Sequence, residues 1–133
     1  MKTTIRTALL VLAALQLTLG VWTSFFPRSF YDLPTVDWTP PFSEHLFRDF
    51  GGATLGLAVI LLAAAFWLDR RLVILALVAY LAFSLPHAIF HSEHLMGDSP
   101  GWSVVLLTAV ILSVLLPLAV IWVSWRTLPP AAE

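Results

Sequence analysis

The stretch of residues 51–90, GGATLGLAVILLAAAFWLDRRLVILALVAYLAFSLPHAIF, decides the fold of this chain. It contains two apolar runs, residues 51–68 and 72–90, which only Asp69, Arg70 and Arg71 separate. With a rise of about 1.5 Å per residue, about 20 residues cross a hydrocarbon core ~30 Å thick, so each run predicts a transmembrane helix. Because the link is so short, the two helices must be antiparallel neighbours.

Two further apolar runs flank this hairpin, at residues 8–26 and 102–125, and none of the four runs contains Asp, Glu, Lys or Arg. The first run follows Lys2 and Arg6 as in a signal peptide, but no clear small-x-small cleavage site follows it, so we expect a retained helix. The sequence therefore predicts an all-α, polytopic, antiparallel four-helix bundle. We expect one transmembrane domain over residues 1–133, with helices at about 6–26, 40–68, 72–95 and 100–126.

The composition supports a membrane protein and excludes several functional classes. Of 133 residues, 59% are apolar and 11% are charged, whereas soluble domains are about half apolar and a quarter charged. The formal net charge of -1 gives no basic surface for nucleic acid. The chain has no cysteine, which excludes disulfides, thiolate metal sites and iron–sulfur clusters.

The basic residues predict the orientation. Five of the seven fall at the termini or in the link between the second and third helices: Lys2, Arg6, Arg70, Arg71 and Arg126. The positive-inside rule places that side in the cytoplasm, so we expect both termini inside. The Ala- and Leu-rich, lysine-poor composition favours a multi-pass protein of the bacterial inner membrane.

A long extracytoplasmic loop joins the first two helices, and its aromatic residues indicate a lid folded onto the helix ends. Thr39 and Pro40 predict a capped start of the second helix near residue 40. Within that helix, Gly52 and Gly56 form a small-xxx-small step, continued by Ala63 and Ala64, which predicts the face that packs on a neighbouring helix.

All four histidines fall on the predicted outer side. On a helix His87, His91 and His94 lie within about 60°, so they share a stripe. His45 and Asp49 are four residues apart and share a face of the second helix, next to a Glu44–Arg48 pair. The outer ends of these two helices are expected to be adjacent, so the two groups can face each other.

These residues predict a metal site made of His45, Asp49, His87, His91 and His94. Imidazole and carboxylate ligands suit zinc, copper, iron or nickel. A mononuclear site would use His87 with His91, or His91 with His94, completed by His45 and Asp49. A dinuclear site that uses all five residues is the alternative.

The same pattern admits other interpretations. Interfacial histidines often only form hydrogen bonds to loops or headgroups, and a proton relay, a quinone or a haem would also use imidazoles. The chain has no P-loop, G-x-S-x-G, H-E-x-x-H or dinucleotide motif, so its enzymatic status stays open. The leading function is a metal-binding membrane protein that handles the ion or uses it as a redox or hydrolytic centre. The alternatives are an accessory subunit of a larger membrane complex, with a membrane-protein partner or as a homo-oligomer, and a lipid- or quinone-binding bundle.

One short motif carries a resemblance to a known family. Four helices, a basic link after the second, and the string Arg48-Asp49-Phe50-Gly51-Gly52 at the start of that helix resemble the small DoxX-like bacterial membrane proteins. The resemblance covers nearly the whole chain. It implies a four-helix bundle and association with redox or envelope complexes, and it transfers no catalytic residue.

Overall fold

A computed structural model describes residues 1–33, 41–95 and 99–129 of the chain. Its regular elements in these ranges are helices: α1 (Lys2–Phe25), α2 (Pro27–Tyr31), α3 (Glu44–Trp67), α4 (Arg70–Glu93) and α5 (Pro100–Thr127). The long helices α1, α3, α4 and α5 are each long and apolar enough to cross a membrane. The prediction of an all-α chain with four such helices is therefore confirmed.

The connection between the first two long helices contains the short helix α2, which the sequence analysis did not predict. Pro27 stands in its first turn, where its missing N–H and restricted φ are tolerated. Helix α3 begins at Glu44, one turn later than predicted, and Ser43 caps it by accepting a hydrogen bond from the Leu46 N–H. Thr39 and Pro40 lie outside the described residues.

The link between α3 and α4 is as tight as predicted. Leu68 ends α3 in the left-handed conformation, with φ of 50°. Asp69 then caps α4, and its Oδ1 accepts a hydrogen bond of 2.9 Å from the Leu72 N–H. The reversal thus takes two residues, and the two helices run antiparallel.

The four long helices form a square. Helix α1 packs most extensively on α3, α4 packs on α5, and α3 packs on α4; the contact between α1 and α5 is the smallest of the four. The remaining pairs, α1 with α4 and α3 with α5, have no backbone contact among the described residues, so each pair lies on a diagonal of the square. A side chain must therefore reach through the centre of the bundle to join α1 to α4.

The close contact between α1 and α3 uses different glycines from those predicted. A Cβ atom on Gly51 would lie 2.7 Å from the Ser24 backbone nitrogen, and one on Gly20 would lie 2.8 Å from Leu55. Added Cβ atoms on Gly52 and Gly56 would meet nothing within 4 Å. The prediction that Gly52 and Gly56 form the packing face is therefore wrong, because α3 is rotated so that the two glycines point away from α1.

The interior of the bundle differs between its two ends. We call the end where α1 begins the terminal end, and the opposite end, which carries His45 and His87, the histidine end. The apolar core lies entirely in the terminal half and consists of Ile5, Leu9, Leu12, Ala13, Leu61, Ala64, Ala65, Val73, Ala76, Leu77, Tyr80, Val120 and Leu128. The buried residues toward the histidine end, which we call the polar interior, are Gln16, Gly20, Thr23, Gly51, Thr54, Ser84 and Ser103, with Ala58 and Val110 near mid-helix.

Candidate functional site

His87 and His91 lie side by side on the last two turns of α4. Their ring centroids are 4.4 Å apart, and their planes meet at 79°. Both residues are half-buried. The spacing of four residues on a helix brings the two rings together, as the sequence predicted.

A backbone carbonyl selects the tautomer of His91. Its Nδ1 lies 3.2 Å from the carbonyl oxygen of His94. Because a carbonyl oxygen can only accept, Nδ1 carries the proton and donates this hydrogen bond. In the neutral ring Nε2 then carries the lone pair, and this is the tautomer in which Nε2 can bind a metal.

His94 takes a different position from the other two histidines of the stripe. Helix α4 ends at Glu93, and His94 is its C-cap with an extended backbone. The His94 ring stacks on Phe90 with centroids 4.3 Å apart, and its Nδ1 lies 3.0 Å from the Phe90 carbonyl oxygen. These contacts hold His94 beside Phe90, so the closest imidazole pair on α4 is His87 with His91.

An aromatic contact between helices positions His87. The His87 ring stacks on Phe83 with centroids 5.5 Å apart. Phe83 in turn meets Phe50 of α3 at 5.8 Å. The orientation of the first imidazole of the pair is therefore set by the packing of α4 against α3.

The second predicted pair forms within α3. His45 Nε2 lies 3.2 Å from Asp49 Oδ2, and the two side chains are 89% and 64% exposed. Arg48 Nη2 lies 2.8 Å from Glu44 Oε1 on the neighbouring face. Both pairs were predicted from their four-residue spacing. The exposed His45–Asp49 pair is accessible from the surface of the protein.

The described residues contain no group of three or more His, Cys, Asp or Glu side chains arranged to hold a metal ion. The five predicted ligands instead occur as the His87–His91 pair, the His45–Asp49 pair and His94. The complete five-residue metal site therefore stays a prediction.

An aromatic cluster lies at the histidine end, beside α1 and α3. The rings of Phe30, Tyr31, Phe42 and Phe47 contact one another, and Trp22 joins them through Phe30 at 5.3 Å. Phe30 and Tyr31 of the connection thus pack on Phe47 of α3. Trp38 lies outside the described residues, and the lid over the helix ends stays a prediction.

Arg28 belongs to the same cluster. Its guanidinium lies 5.1 Å from the Phe42 ring centroid and forms a 2.9 Å ion pair with Asp32. The hydrogen bond and the charge of Asp32 raise the pKa of Arg28 above its ordinary value. A surface pocket of about 540 Å³ opens here, with Arg28, Glu44 and Arg48 beside phenylalanine rings.

A group of polar side chains near the middle of the helices was missed by the sequence analysis. Gln16 of α1 and Ser113 of α5 interact with Tyr80 of α4. Gln16 and Tyr80 are each only 3% exposed. The available signal was the spacing of Tyr80, Ser84, His87 and His91, which extends the histidine stripe inward along α4.

No protein-family model, curated protein or solved structure matches this chain.

Proposed function

We propose that this chain is a small integral membrane protein that binds a transition-metal ion at its histidine end. The observation that carries the proposal is the contact between the His87 and His91 rings, 4.4 Å apart on α4. Two imidazoles four residues apart on a helix can coordinate one ion. The hydrogen bond from His91 Nδ1 to a carbonyl oxygen supports the proposal, because it leaves Nε2 available.

Two protein ligands leave coordination positions open. In this proposal, water or an incoming ligand fills them, or His45 and Asp49 do so once their side chains turn from each other. An open coordination sphere favours exchange of the ion over permanent storage. The function proposed is thus handling of the ion, or its use as a redox or hydrolytic centre; imidazole and carboxylate ligands fit zinc, copper, iron or nickel.

The membrane context of this site is also part of the proposal. With both termini in the cytoplasm, as the basic residues predict, the site faces the extracytoplasmic side of a bacterial inner membrane. The resemblance to DoxX-like proteins adds association with redox or envelope complexes. A metal site on that face would serve such a complex by delivering or holding its ion.

The accessory-subunit alternative has its own observation. Helix α5 buries the smallest share of its apolar span, and many of its large side chains are exposed. A partner helix in the membrane would pack on such a surface. The lipid- or quinone-binding alternative rests on the pocket beside Arg28 and Arg48.

Elemental analysis of the purified protein, with a matched set of histidine variants, tests the metal proposal. We expect near-stoichiometric metal in the unmodified chain and its loss in His87→Ala and His91→Ala. His94→Ala is the control, because its ring packs on Phe90 and lies outside the pair. Thermal unfolding of all variants shows whether the fold is retained.

Two results would overturn the proposal. One is unmodified protein that retains no metal after loading with zinc, copper or iron and removal of the excess. The other is a well-folded His91→Ala variant that retains as much metal as the control.

A further inference from the structure

The buried residues of the histidine half are small or polar, unlike those of the apolar core in the terminal half. The polar interior defined above consists of glycine, serine, threonine and glutamine residues, with Ala58 and Val110 near mid-helix. The core of the terminal half consists of leucine, isoleucine, valine and alanine, with Tyr80 at its mid-helix edge. Ser124 is a single buried hydroxyl beside this core, and its Oγ also has no partner among the described residues. Glycine, serine and threonine are common where membrane helices pack closely, so their presence alone does not indicate water.

Helix α4 shows the change along a single stripe. Val73 and Leu77 occupy its buried face in the terminal half. The same face continues through Tyr80, Ser84 and His87. Alternating steps of four and three residues keep all five residues, from Val73 to His87, within about 80° of one another. The stripe is therefore apolar up to mid-helix and polar from there to the histidine end.

Two atoms of this polar region have no hydrogen-bond partner among the described residues. They are Oε1 of Gln16 and Oγ of Ser84, on side chains that are 3% and 1% exposed. Gln16 belongs to α1 and Ser84 to α4, so they lie on opposite corners of the square. Tyr80, one turn from Ser84 on α4, interacts with Gln16 across the square. Buried polar atoms are nearly always bonded, and internal water commonly provides the missing partner.

We propose that the histidine half of the bundle contains a water-filled half-channel along α4. Water enters at the histidine end past His91 and His87, runs along Ser84 and ends at Tyr80 and Gln16. The apolar core then closes the path toward the terminal end. Binding of water here does not depend on the metal, since Ser84, Tyr80 and Gln16 lie deeper than the proposed ligands.

The contacts between helices agree with this path. The α1–α3 contact is sealed by Gly20 and Gly51, where no further atom fits. Thr54 of α3 is buried, and its hydroxyl donates a hydrogen bond of 2.7 Å to the Phe50 carbonyl, so it needs no water. Helix α1 packs least on α5, so the interior of the square is least closed on that side.

Single cysteines test the channel, because the chain has none of its own. Ser84→Cys replaces the unpartnered oxygen by sulfur, and Thr54→Cys is the matched control, a buried hydroxyl residue whose bond is satisfied. Leu77→Cys probes the same stripe in the apolar core. In nanodiscs, a small cationic methanethiosulfonate reagent should modify Ser84→Cys on the order of tenfold faster than either control.

Equal rates at the three positions, or a Ser84→Cys variant as unreactive as Thr54→Cys, would overturn the half-channel. Radiolytic hydroxyl labelling of the unmodified protein gives a second measurement that needs no substitution. Water beside the Tyr80 ring leads to its oxidation, whereas a Tyr80 that remains unlabelled overturns the proposal.

Discussion

Arg48 at the start of α3 donates a hydrogen bond of 2.8 Å from Nη1 to the carbonyl oxygen of Ser24, in the last turn of α1. The other end of the same helix pair has the reciprocal arrangement. Arg6 of α1 donates from Nε to the carbonyl oxygen of Ala65, near the end of α3, at 3.0 Å. The last carbonyls of a helix lack partners within it and carry partial negative charge, so each helix supplies a cation to the end of the other.

Removal of the Arg48 guanidinium should loosen this contact. For Arg48→Ala we expect a loss of about 1 kcal/mol in the free energy of unfolding, since the side chain is 50% exposed and solvent weakens its bonds. Thermal unfolding in detergent measures the change. Arg71→Ala, an exposed arginine at the terminal end, is the control; an equal loss there would show a general effect of charge.

Two neighbouring glycines should respond in opposite ways to the same substitution. Gly51→Ala places a methyl group against the Ser24 backbone and should destabilise the fold by about 1 to 3 kcal/mol. Gly52→Ala meets open space and should leave stability unchanged or slightly raised. Comparable unfolding midpoints for the two variants would show that α1 and α3 are not in close contact at Gly51.

The orientation in the membrane can be tested on one helix. Cysteines introduced at Arg71 and Glu93 lie at opposite ends of α4. Since the basic residues predict a cytoplasmic terminal end, an impermeant thiol reagent added outside intact cells should label Glu93→Cys and not Arg71→Cys. The reverse pattern would place the histidine end in the cytoplasm.

Metal retention should decrease with acidification. A proton competes with the metal for the imidazole nitrogen, so lower pH favours release. Equilibrium dialysis at a series of pH values measures the affinity of the unmodified chain. A pH-independent affinity across the ordinary range of histidine, about pH 5 to 8, would point to ligands other than imidazole.

Interactions within one helix were predictable from residue spacing. The Glu44–Arg48 and His45–Asp49 pairs, and the contact of His87 with His91, all follow from the four-residue step that places side chains on one face. Residue spacing alone cannot test the predicted convergence of His45 with the α4 histidines, because that convergence depends on how far each helix is rotated about its axis. Spacing along one helix contains no information about that rotation.

The long helices themselves follow from residue order alone. Lipid offers backbone N–H and C=O groups no partners, so an uninterrupted apolar run of this length must satisfy them within a helix. The assembled bundle decides that Gly51 and not Gly52 contacts α1. It also decides that Gln16 meets Tyr80 across the square. The reason is that lipid tails and the packed interior are equally apolar. Hydropathy therefore identifies a membrane helix but cannot distinguish the face that touches lipid from the face that touches another helix.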